Sequence, residues 1–157
     1  MKKVRIGKEQ AIQRIRHYCA YQERAQQEVR DKLYELGMTM DEVEEIMSDL
    51  IAENFLNEER FATQFAGGHF RIKGWGKVKI QHALQQKRVS SFNIKIGLKA
   101  IDQDAYLQTL QGLANKKWNS LKGERGLSRM AKTQAFLHQR GFEPFLYQPI
   151  VQALYKA

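Results

Sequence analysis

Apolar positions recur along this chain at the 3.6-residue period of an α-helix. In residues 26–36, Val29, Leu33 and Leu36 fall at i, i+4 and i+7, on one helix face. Gly37 follows and can stop that helix, because glycine takes the left-handed cap conformation freely. Thr39 with Glu42 three residues later makes a capping box, which predicts a second helix from about Met40 to near Asn54. Val43, Ile46, Met47, Leu50 and Ile51 then occupy its inner face. A preceding helix, about Glu9 to Tyr21, supplies Ile12, Ile15, Tyr18 and Cys19. The first third reads as a three-helix unit whose last two helices form a helix-turn-helix-like corner.

The same pattern returns twice. A shift of 51 carries Val29 to Ile80, Leu33 to Leu84, Met38 to Val89, Val43 to Ile94, Met47 to Leu98 and Leu50 to Ile101. A shift of 104 carries Leu33 to Leu137, Gly37 to Gly141, Met38 to Phe142, Ile46 to Ile150, Met47 to Val151 and Leu50 to Leu154. Six matches at one fixed shift, with the turn in register, imply a repeat architecture. The expected fold is all-α, with three tandem three-helix repeats at residues 1–57, 58–101 and 102–157 forming one continuous, elongated and curved solenoid. Gly74 and Gly76 break the middle repeat after its first helix; Ser90 or Ser91 can cap its third, and Asp102 the next. Residues 122–126 read as a flexible loop. Pro149 falls inside the last helix, which is expected to kink or to start late.

Charge changes the picture. The net charge is +9, unevenly spread: Met1–Gln22 carries six Lys/Arg against one acid, and Glu23–Arg60 four against twelve. Phe61–Ile101 carries eight Lys/Arg and no acid, and Asp102–Ala157 eight against four. A middle third without carboxylates favours an anionic partner, nucleic acid or an acidic protein surface, unless the acidic first third folds against it. The basic start Met1-Lys2-Lys3-Val4-Arg5 lacks the apolar core of a signal peptide, and no run is apolar enough to span a bilayer. The single Cys19 fits a reducing compartment, so a cytoplasmic protein without a membrane partner is expected.

No active site emerges. Gly74-Trp75-Gly76 lacks the third glycine and the strand context of a phosphate-binding loop. His17, His69, His82 and His138 show no metal-ligand spacing, so neither metal nor cofactor is expected. Cys19 reads as a small core residue, and Asp41–Glu45 as acids suited to the positive end of a helix dipole. The candidate binding segment is His69–Ile80, with Arg71, Lys73, Lys77 and Lys79 around a glycine-flanked Trp75 at the mouth of a helix. Backbone amides at that helix start would suit a phosphate or carboxylate, and Trp75 a base or a protein surface. Lys87 and Arg88, then Lys95 and Lys99, extend the set. In residues 54–62, Phe55 and Leu56 close the first repeat, Asn57 caps the next helix, and Arg60 pairs locally or faces a partner.

The run Phe55-Leu56-Asn57-Glu58-Glu59-Arg60-Phe61-Ala62, then Arg71 and Gly74-Trp75-Gly76-Lys77-Val78-Lys79-Ile80, is similar to the RecX family. So are Gln27–Leu33 before it and Leu84–Val89 after it; the likeness runs from about Tyr18 to Ile101 and more loosely through Phe136, Gly141 and Phe142. Asn57 stands where an acid is usual, and Arg88 where glycine is frequent, so the turn at Arg88 is expected to differ. The resemblance implies three tandem three-helix repeats and a non-enzymatic, monomeric protein. It also implies binding in the groove of the RecA recombinase filament on DNA, with inhibition of ATP hydrolysis and strand exchange. Single-stranded DNA would be held weakly and in a salt-sensitive way. A stand-alone helix-turn-helix DNA-binding protein and a protein-interaction scaffold are the competing readings.

Overall fold

The computed structural model describes residues 5–157; the start of the basic N-terminal segment, Met1–Val4, lies outside them. The described residues hold nine helices and no strand. They run α1 (Lys8–Tyr21), α2 (Gln26–Glu35), α3 (Met40–Ala52), α4 (Glu58–Lys73), α5 (Lys77–Gln86), α6 (Ser91–Lys99), α7 (Gln103–Ser120), α8 (Gly126–Gln139) and α9 (Pro144–Lys156). Their contacts gather into two compact units, one reaching to Gln64 and including Leu84–Gly97, the other made of Phe65–Ala83 and Leu98–Ala157.

In the first unit, α1 to α3 bury Ile15, Leu33, Val43, Ile46, Met47 and Leu50. Ile51 departs from expectation: it is 46 % exposed, because it lies about 100° round the helix from Leu50. Cys19 joins the core, and burial pushes its thiol up to about 11, leaving it protonated and unreactive at neutral pH. The capping box forms as read, with the Glu42 amide donating to Thr39 Oγ1 at 3.3 Å and the Thr39 amide to Glu42 Oε1 at 3.0 Å. Glu42 also accepts from Arg5, whose guanidinium, with the Thr39 amide, holds that carboxyl down at about 2. Acids of α3 and of its C-cap Glu53 are matched from α1, the segment before it and α2: Arg5 pairs with Glu42, Lys8 with Glu45, Arg16 with Glu53 and Arg30 with Glu44. Part of the acidity of the first third is therefore matched within it.

In the second unit, Phe70, Tyr106 and Phe142 form an aromatic core, with ring centroids 5.5 Å and 5.3 Å apart along that order. Leu110, Leu137 and Val151 are fully buried beside them. Asp102 caps α7 through the Ala105 amide at 2.9 Å, and residues 121–125 form the expected loop. The last helix neither breaks at Pro149 nor starts late: α9 begins at Pro144 and runs through it. Pro144 occupies a first-turn position where a missing amide costs nothing. Pro149 has no amide to donate to the Phe145 carbonyl, so that one helical bond is forgone while the helix continues.

The repeat is written most clearly in three helix ends. After α2, α5 and α8 the amides of Met38, Val89 and Phe142 donate to Leu33, Leu84 and Leu137 carbonyls, each at 3.1 Å. The amides of Gly37, Arg88 and Gly141 donate to Tyr34, Gln85 and His138 carbonyls, each at 2.9 Å. This is a Schellman cap in three copies, with the C3 and C″ side chains buried together every time. The turn at Arg88 thus keeps the shared geometry, at φ 59° where Gly37 and Gly141 have 89° and 93°. A left-handed non-glycine residue is strained by about 1–2 kcal/mol. Arg88→Gly should therefore raise stability by roughly 0.5–1 kcal/mol, after the entropy glycine adds to the unfolded chain. A urea midpoint that stayed put or fell would show that the Arg88 side chain makes offsetting contacts.

Candidate functional site

The candidate segment lies in the second unit, where α4 ends and α5 begins. Gly74, at φ 67°, closes α4 and turns the chain, and the Trp75 amide reaches back to the His69 carbonyl at 3.2 Å. That turn lays Trp75 against its own helix. Its ring sits 4.7 Å from His69, which stacks at 3.8 Å on Phe65, and His69 Nδ1 lies 2.8 Å from the Phe65 carbonyl oxygen. Two ammonium groups flank the indole: Lys73 Nζ at 5.3 Å from the ring and Lys79 Nζ at 4.5 Å. Trp75 is half-buried, with Lys73 exposed and Lys79 half-buried. Cation–π attraction holds both lysines near the one indole ring while leaving their donors available.

Three amides at the helix start are already taken. Gly76 N–H donates to the Arg140 carbonyl at 2.7 Å, Lys77 N–H to the Tyr106 hydroxyl at 2.9 Å, and Val78 N–H to the Gly141 carbonyl at 2.9 Å. The α8–α9 turn and α7 occupy those three amides, which leaves side chains as the main donors to an anion here. Gly76 is what permits this approach: a Cβ there would fall 2.3 Å from the Gly141 carbonyl carbon and oxygen. The Tyr106 hydroxyl in turn donates to the Glu143 carboxylate. Burial, then that hydrogen bond, pushes the Tyr106 hydroxyl upward, so it stays protonated and keeps the junction closed.

Of the other candidates, Lys77 serves the fold as well as the surface. Its Nζ lies 4.8 Å from the Tyr106 ring and 3.4 Å from Gln103 Oε1. Arg71 is exposed and folds back along α4 beside Gly67. Lys87 and Arg88 belong to the other compact unit, where Lys87 pairs with Glu28 at 3.4 Å and Arg88 is exposed. Arg71, Lys73, Lys79, Arg88, Lys95 and Lys99 make no ion pair among the described residues. Arg60 turns inward to its own unit, bonding Glu23 and, at 3.2 Å and 3.1 Å, the side chain and carbonyl of Asn54. Asn57 caps α4 through the Arg60 amide at 2.9 Å.

One cation at the site escaped the sequence reading. Arg140, far along the chain, stands beside Gly74: its Nη2 is 3.2 Å from the place a Cβ on Gly74 would take. The guanidinium lies 5.5 Å from the Phe136 ring, and its Nε is buried without a partner. No spacing signal leads from Gly74 to Arg140; only the Gly76 to Arg140 backbone bond brings them together. Among the described residues no group of His, Cys, Asp or Glu could hold a metal, and no helix is long and apolar enough to cross a membrane.

Three family models match the chain: the first three-helix domain of RecX over residues 11–50, the second over 57–98 and the third over 104–146. A protein named regulatory protein RecX from Prosthecochloris aestuarii is 32 % identical over 133 residues, which cover 85 % of each chain. One of the same name from Clostridium perfringens is 31 % identical, covering 83 % of this chain and 62 % of its own. Another, from Oceanobacillus iheyensis, is 24 % identical over 88 % of this chain, which spans only 51 % of that relative. The crystal structure of RecX from Lactobacillus salivarius superposes with a TM-score of 0.87 at 22 % identity, covering 96 % of this chain and 97 % of that one.

Proposed function

The chain belongs to the RecX family, and on that premise we propose that it regulates the RecA recombinase by binding the recombinase filament on DNA and inhibiting its ATP hydrolysis and strand exchange. The observation that carries this reading is the Lys73–Trp75–Lys79 cluster, two unpaired cations on one aromatic ring within a stretch, Phe61–Ile101, that has no carboxylate. Such a cluster suits a polyanion or an acidic protein patch: the ammonium groups meet the charge, and the half-buried indole offers a flat anchor. The protein acts by occupancy and not by chemistry. It works as a monomer in the cytoplasm, and its contact with single-stranded DNA is weak and falls steeply with salt.

The test is ATP hydrolysis by a RecA filament on single-stranded DNA, titrated with the protein. Loss of hydrolysis at well under one copy per recombinase subunit is the expected result, and it would point to blocked filament growth or disassembly. Unchanged hydrolysis together with tight, sequence-selective binding to bare duplex would replace this reading with a stand-alone DNA-binding protein.

A further inference from the structure

The first unit carries a second cationic face, on α1 and α2. On α1, Arg14, His17, Tyr18 and Tyr21 fall at i, i+3, i+4 and i+7, a stripe separate from the core positions Ala11, Ile15 and Cys19. Arg24, beyond the end of α1, and Lys32 of α2 close the stripe into an open groove of about 510 Å³. That volume falls within the range of small-ligand clefts, about 300–1,000 Å³. No carboxylate is among the described residues that line it.

Tyr18 is half-buried, packed on the core from one side, and Tyr21 stands out as a free surface. Tyr21 is 77 % exposed. The Arg24 guanidinium lies 3.7 Å from the centre of the Tyr18 ring, and its Nε donates to the Tyr18 carbonyl at 3.0 Å. This bond also offsets the negative end of the α1 dipole, which would otherwise repel an anion. Lys32 Nζ stands 5.9 Å from the Tyr18 ring, and at 3.9 Å its contact with Glu35 is a loose one. A plain acidic peptide would need the cations alone. A nucleobase would use both the flat faces and the charge, since bases stack on tyrosine rings and on arginine planes while their phosphates seek ammonium and guanidinium groups.

We infer that the α1–α2 groove is a single-stranded nucleic-acid site, in which a base stacks on Tyr21 beside the Tyr18–Arg24 pair and Arg14, Arg24 and Lys32 receive the flanking phosphates. The site lies wholly in the first unit and does not depend on the Trp75 cluster.

The experiment measures binding of the full chain, without recombinase, to a fluorescent thymidine oligomer of roughly 15 nucleotides and to an abasic oligomer of equal phosphate number. The wild type should prefer the thymidine oligomer. Tyr21→Leu should weaken that binding about tenfold and leave abasic binding nearly unchanged, whereas Tyr21→Phe should keep both. The same loss should appear in a Lys73→Glu/Lys79→Glu background, which separates this site from the one proposed for the recombinase. The inference is overturned if Tyr21→Leu binds the thymidine oligomer as the wild type does, or if the wild type fails to tell the two oligomers apart. It is also overturned if a polyglutamate peptide binds in a Tyr21-dependent way and the thymidine oligomer does not. Because Tyr21 is exposed, the variants should keep wild-type helicity.

Discussion

Reversing Lys73 and Lys79 to glutamate should raise the concentration needed to inhibit the recombinase ATPase by roughly 100-fold, with helicity unchanged. Both ammonium groups flank Trp75, and neither pairs with a carboxylate, so the substitutions break no internal ion pair. Each exchange removes an attraction and installs a repulsion at the same place. Two contacts at about 1.5 kcal/mol each give the stated loss. Lys77 is the wrong third target, because a carboxylate there would be forced towards the Tyr106–Glu143 pair and would perturb the junction itself. The control is Lys95→Glu/Lys99→Glu, which changes the net charge equally in α6. Equal loss in both variants would mean that the partner senses the overall field of the protein and not the Trp75 cluster.

The largest stability effect is expected at Gly76→Ala, about 3 kcal/mol in urea unfolding. A methyl group there would overlap the backbone of Gly141 and Phe142, all within 2.4 Å of the new carbon. Because the obstacle is main chain, side-chain rotation cannot relieve it. The loop has to move away, which strains or breaks the Gly76 and Val78 bonds to Arg140 and Gly141. Overpacking costs about 1–3 kcal/mol, and weakened hydrogen bonds add about 1 kcal/mol each. Gly112→Ala makes the contrast: in α7, where a Cβ would meet nothing within 4 Å, it should stabilise by about 0.5–1 kcal/mol. If Gly76→Ala unfolds at the wild-type midpoint, the close approach of the two turns is not what positions Trp75.

The repeat was legible in the sequence because its signal is local. A Leu, a left-handed residue and an apolar residue at fixed spacing define each Schellman turn, and a constant shift reveals the copies. Capping by Thr39, Asn57, Ser90 and Asp102 was readable for the same reason, since a cap acts within three residues. The site was legible only as charge. That Lys73 and Lys79 share one indole follows from the turn at Gly74, but that Lys77 is tied to Tyr106 depends on α7. The amides of the α5 start looked available because their partners, Arg140, Tyr106 and Gly141, lie far along the chain. Pro149 gave no guide to the helix start, which Pro144 sets five residues earlier at a first-turn position.

The pairing of α1 with α3 has a consequence for how the molecule approaches a polyanion. Glu42, Glu45 and Glu53 would form a bare negative strip were it not for Arg5, Lys8 and Arg16 lying across them. At a few ångströms each pair is a dipole, whose field falls away much faster with distance than that of a lone charge. A polyanion approaching that strip would therefore meet insulation in place of a repulsive barrier, and the cations left unmatched elsewhere would set the sign of the long-range pull.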